Sequence, residues 1–87
     1  MNLYKITDGC EFIQVFAANV DRVLKMPEVR DYFCDFTAEE FLNKVKAERI
    51  VKDMPVTVDL DGHKITLTAE EWYLVNPTQR VLSASQY

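Results

Sequence analysis

Two thiols, one imidazole and two pairs of adjacent glutamates are the groups here whose chemistry could drive a reaction. Cys10 and His63 each directly follow an Asp-Gly dipeptide, Asp8-Gly9 and Asp61-Gly62. A thiolate beside an imidazole base is the pairing a cysteine nucleophile needs. The sequence offers neither Cys10 nor Cys34 an orienting group or an oxyanion loop, so small apolar fillers and a surface imidazole are the expected roles. Glu39/Glu40 and Glu70/Glu71 are neighbours in the chain, and helical neighbours point about 100° apart, so neither pair can face itself as acid and base. One histidine and two cysteines without close spacing speak against a zinc site. "DLDG" at Asp59–Gly62 lacks the further oxygen ligands and terminal glutamate of a calcium loop. With two glycines in all there is no glycine-rich phosphate loop. No cofactor and no catalytic role are expected.

Charge points toward binding instead. The 87 residues carry 10 basic and 14 acidic side chains, a net charge of −4. From residue 28 to residue 40 there are five acids, Glu28, Asp31, Asp35, Glu39 and Glu40, against Arg30 alone, so this stretch holds the whole net charge. Phosphate contact needs a basic footprint, so direct nucleic-acid binding is not expected. A basic protein surface is the natural complement, and a solvated helix face is the plain alternative. No apolar run approaches the ~20 residues of a membrane span. The start "MNLYKITDGCEF" has neither the basic beginning nor the apolar stretch of a secretory signal. The two lone cysteines form no disulfide framework, and a cytoplasmic location is expected.

The elements that must position these groups are announced by two repeated words. "TAEEF" at Thr37–Phe41 and "TAEEW" at Thr68–Trp72 share a threonine, an alanine, two glutamates and an aromatic in one order. Thr followed three residues later by Glu is a capping box, so each word predicts a helix start, with the aromatic turned to the core. Asp8-Gly9 and Asp61-Gly62 each sit between β-like runs and predict two hairpins. In the first, Tyr4, Ile6, Ile13, Val15 and Ala17 share a face. A two-residue loop would pair Tyr4 with Ile13 and a four-residue loop Ile6 with Ile13. The other face carries Phe12 and Phe16, which are either covered or left exposed. In the second hairpin, a two-residue turn sets Val58 opposite Ile65 and Val56 opposite Leu67.

Between the hairpins, Asn19 can cap a short helix and Pro27 can open the next. Val29, Tyr32, Phe33 and Phe36 recur at helical spacing. The helix after Thr37 is expected to turn Phe41, Leu42 and Val45 inward and to run to residues 48–52. The helix after Thr68 aligns Ala69, Trp72 and Val75, and Pro77 stops it. "RVLSASQY" reads as a last strand or an ordered tail, with Leu82 and Ala84 inward and Ser83 and Ser85 outward. The expected fold is a single α+β domain over residues 1–87: an antiparallel sheet of four or five strands, including both hairpins, with helices packed on one face.

This layout resembles that of small phage- and prophage-encoded proteins. The residues that carry the likeness are the start "MNLYKIT", the early hairpin, "AANVDRVLKM", the second hairpin, "LTAEEW" and the "LSASQY" tail. Some proteins of that kind are anti-defence factors, including anti-CRISPR proteins. The resemblance implies a non-enzymatic inhibitor that blocks a nucleic-acid-binding surface on a host complex. The expected contact groups are the acids Glu28, Asp31, Asp35, Glu39 and Glu40 and the aromatics Phe12, Phe16, Tyr73 and Tyr87. A homodimer is compatible with this reading. The alternatives are an oligomeric protein that sequesters a small ligand such as a nucleotide signal, and an enzyme built on Cys10 or Cys34.

Overall fold

The computed structural model describes residues 1–78 and 80–84. Its elements in chain order are β1 (Asn2–Thr7), β2 (Phe12–Ala17), α1 (Val20–Val23), α2 (Pro27–Tyr32), α3 (Ala38–Lys44), β3 (Lys46–Ile50), β4 (Pro55–Leu60), β5 (His63–Thr68), α4 (Ala69–Val75) and β6 (Val81–Ala84). A four-stranded antiparallel sheet runs β3-β1-β2-β6, and β4-β5 forms a separate two-stranded sheet. The α+β class and a four-stranded antiparallel sheet agree with the expectation, but the second hairpin forms a sheet of its own instead of joining the first, and β3 takes its place in the larger sheet.

The layering differs from the expectation. Tyr4, Ile6, Ile13, Val15 and Ala17 face α1, α2 and α3, where they meet Val23, Val29, Phe33 and Phe41. Leu3 and Phe16 on the opposite face meet Val56, Val58, Ala69 and Trp72. The helices therefore do not share one face: α4 and the β4–β5 hairpin cover the second. The physical reason is that β1 and β2 are apolar on both sides, so each side must be closed.

The repeated word answers the same need once per face. Thr37 Oγ1 accepts from the Glu40 N–H at 3.2 Å, and Glu40 Oε1 accepts from the Thr37 N–H at 3.2 Å. At Thr68 and Glu71 the same two bonds measure 3.2 and 2.9 Å. The residue after each box, Phe41 or Trp72, is 4% or 3% exposed, one in each core. Trp72 also donates its Nε1–H to the buried Val56 carbonyl at 2.8 Å, tying α4 to β4. Backbone donation from Thr37, the Thr37 hydroxyl and Lys44 hold the Glu40 carboxyl below the usual carboxylate range.

Turn chemistry fixes both hairpins. In the first, Ile6 pairs with Ile13, which selects the four-residue loop. Asp8 accepts from the Glu11 and Cys10 N–H groups, each at 2.9 Å, and these bonds lower its pKa. In the second, Asp61 and Gly62 take φ 53° and 85°, the two left-handed residues of a type I′ turn. The predicted pairs Val58–Ile65 and Val56–Leu67 are present.

Three local expectations are corrected. The helix after Thr37 ends at Lys44, and Lys46–Ile50 is strand β3, paired to β1 from Leu3–Ile50 to Thr7–Lys46. The segment's helical propensity yields to the hydrogen bonds that β1 needs along its second edge. Leu42 and Val75 do not face inward: both are exposed, because a seven-residue helix can turn only one narrow stripe to the core. In β6 a register shift opposite Gln14/Val15 inserts Leu82 into the second core, and Ala84, opposite Ile13, packs on the first. The expectation for Ser85 lies outside the described residues.

Thr37→Ala and Thr68→Ala are each expected to cost about 1 kcal/mol, read by urea unfolding at neutral pH. The depressed Glu40 pKa means that the first box stabilises above the unfolded-state carboxylate pKa. Its contribution is lost as pH falls through the lower folded value. The Thr37→Ala penalty should therefore shrink in strong acid.

Candidate functional site

The residues with reactive chemistry lie on three separate segments of the chain. Cys10 lies in the exposed β1–β2 loop, Cys34 in the exposed segment after α2, and His63 at the exposed start of β5. Among the described residues no hydrogen bond joins His63 to either thiol, and no group of three or more histidine, cysteine, aspartate or glutamate side chains could hold a metal ion. No helix of the described residues is long and apolar enough to cross a membrane.

The acidic segment is more informative, because its charges fall into two sets. Glu28 binds Arg80 at 2.9 Å, and Glu40 is held by its capping box and by Lys44 at 3.4 Å. Asp31, Asp35 and Glu39 are exposed and make no side-chain hydrogen bond or ion pair among the described residues. The nearby cations are engaged elsewhere. Arg30 lies 5.2 Å from the Phe41 ring centroid and donates Nε–H to the Leu24 carbonyl at 3.2 Å. Lys44 lies 6.0 Å from the Phe36 ring. Three acids are thus left uncompensated.

Structure alone does not explain two of them. Glu39 sits in the first turn of α3, where a negative charge suits the helix dipole. Asp31 is in the last turn of α2 and Asp35 lies just beyond it, where the same dipole disfavours an acid. In the same segment, Phe33 contacts Tyr32, Phe36 and Phe41 with ring centroids 4.9, 6.2 and 6.3 Å apart. Leu42, one turn beyond Glu39 on α3, is 64% exposed. Sequence reasoning missed it, because in the sequence a leucine beside Phe41 and before Val45 reads as core. The signal available was the spacing from Glu39, i to i+3, which puts Leu42 on the polar face.

The aromatic contact groups divide differently. Phe16 is 2% exposed and meets the half-buried Tyr73 at 5.6 Å, so it belongs to the second core and is withdrawn as a contact residue. Phe12 is half-buried, with Lys5 Nζ 5.1 Å from its ring centroid. It borders a cleft of about 640 Å³ beneath the second hairpin, with Val58, Leu60 and Leu82. Tyr73 borders a cleft of about 330 Å³ between α4 and β1–β3, with Leu3, Ile50 and Leu74. Phe12 and Tyr73 therefore lie on the side of the sheet opposite α2 and α3, and the expected contact set is not one continuous surface. Tyr87 lies outside the described residues.

The chain matches no known protein family, no curated protein and no solved structure.

If Asp31 and Asp35 have no structural task, Asp31→Asn and Asp35→Asn should leave stability within ~0.5 kcal/mol of wild type or raise it slightly. Thermal unfolding of the two variants checks this. A loss above ~1 kcal/mol at either site would mark that acid as part of the scaffold.

Proposed function

We propose that this chain is a small protein-binding module of the inhibitory, phage-encoded kind. It would seat the α2–α3 edge on a cationic surface that a host complex uses for nucleic acid. The observation that supports this most is the uncompensated set Asp31, Asp35 and Glu39, together with Leu42, exposed three residues after Glu39 on α3. The two parts do different work. Exposed charges add little affinity, roughly 0.2–1 kcal/mol per pair, but they steer the approach of a partner. An apolar side chain pressed into a socket lengthens the stay of the bound complex. Uncompensated acids joined to an exposed apolar side chain are thus suited to displacing a nucleic acid from a basic groove.

The test begins with capture of the partner by the tagged chain from cells that carry it. Association kinetics are then compared between wild type and the triple variant Asp31→Lys, Asp35→Lys, Glu39→Lys. Wild-type association should slow as salt rises, since screening acts over roughly 10 Å at 0.1 M. The triple variant should associate at least about tenfold more slowly at low salt. Leu42→Ser should instead speed dissociation. A captured partner whose association ignores salt and is unchanged in the triple variant would exclude this face.

A further inference from the structure

The second hairpin overhangs the sheet that it covers. By register its inward face is Val56, Val58 and Leu60 on β4 and His63, Ile65 and Leu67 on β5. Val56 and Val58 are buried, whereas Leu60 and Ile65 remain 46% and 40% exposed. The tip and the β5 side therefore extend past the second core, with apolar groups uncovered.

The backbone on that side is also open. Among the described residues β5 pairs with β4 alone. Leu60 and His63 flank a two-residue turn and so form its hydrogen-bonded closing pair. Alternation along the ladder then makes Asp59/Lys64 and Thr57/Thr66 the non-hydrogen-bonded pairs. The 2.7 Å contact between the Thr57 and Thr66 hydroxyls agrees, since side chains approach closest at such pairs. The N–H and C=O groups of Lys64 and Thr66 consequently point away from β4.

We propose that a second copy of this chain closes that edge, β5 against β5, antiparallel about a two-fold axis through Ile65. Lys64 of each copy then exchanges both backbone hydrogen bonds with Thr66 of the other. The two Ile65 side chains meet across the axis as a non-hydrogen-bonded pair, and His63 falls opposite Leu67. Only this register satisfies the outward-pointing groups and joins the two exposed isoleucines at once. It opposes no like charges directly, because Lys64 faces Thr66 of the second copy and has Asp59 across its own hairpin. Two marginal two-stranded hairpins become one four-stranded sheet. The other edges are guarded: β3 carries Lys46, Glu48 and Arg49, β6 is four residues long with a register shift, and the outer side of β4 presents Pro55, which has no N–H, and the charged Asp59. The dimer edge lies on the face opposite α2 and α3, so this inference is independent of the proposed function.

The test uses Ile65→Cys in a full chain whose exposed Cys10 and Cys34 are replaced by Ser. Opposed non-hydrogen-bonded residues have Cα atoms about 4.5 Å apart, inside the disulfide range of about 4.4–6.8 Å. Mild oxidation should convert most of this variant to a covalent dimer, whereas Leu42→Cys on the same background should stay monomeric. The wild type should sediment as a concentration-dependent dimer. Ile65→Lys, which opposes two positive charges at the axis, should sediment as a monomer with unchanged circular dichroism. A wild type that remains monomeric up to its solubility limit overturns the proposal. So does an Ile65→Cys variant that cross-links no faster than Leu42→Cys.

Discussion

Everything in this fold follows from a two-stranded core, β1 and β2, that is apolar on both faces. Tyr4, Ile6, Ile13 and Val15 require cover on one side, and Leu3 and Phe16 on the other. One layer of helices can close only one of those faces. The chain meets the second requirement with a hairpin and α4, and this is why 87 residues contain two small cores. The same constraint explains the repeated word. Isolated helices shorter than ~12–15 residues are marginal in water, and both α3 and α4 have seven. Each is held at its start by a capping box, worth about 1 kcal/mol, and by one buried aromatic worth roughly 1.5–3 kcal/mol. The aromatic is the larger contribution, and the cap sets the angle at which it enters.

The scaffold also sorts the surface charges. Where an acid has a structural task, a partner stands beside it: Arg80 for Glu28, and the Thr37 N–H and Lys44 for Glu40. Arg30 and Lys44 lean over Phe41 and Phe36 and so add to the aromatic packing beneath. Asp31 and Asp35 remain outside this scheme, at the end of a helix whose dipole opposes them. Their placement does not serve stability, and the proposed binding role rests on that contrast.

Much of the fold was legible because its signals are local. Asp-Gly turns, capping boxes and period-two alternation depend on a few neighbouring residues, and the second hairpin was read to its register. What the sequence concealed depended on distant partners. Lys46–Ile50 contains good helix formers, and only the free edge of β1 makes it a strand. Phe12 and Phe16 look alike in sequence, yet α4 buries Phe16 and leaves Phe12 half-covered. Leu42 read as core because a helix stripe can be drawn through Phe41 and Val45 in more than one way. Of the candidate contact groups, the acids were visible in composition. Which of them are compensated became visible only once Arg80 was brought beside Glu28.

The claim that both faces of one sheet form a single cooperative unit is tested most directly by native-state hydrogen exchange in Trp72→Phe. This change keeps an aromatic ring in the second core and removes the Nε1–H bond to the Val56 carbonyl. The amides of Tyr4, Ile6 and Val15, whose side chains pack on the far side of the sheet from Trp72, should then exchange faster by the same factor as those of Val56 and Val58. Faster exchange confined to β4, β5 and α4, with β1 and β2 unchanged, would show that the second layer opens alone and would contradict the account.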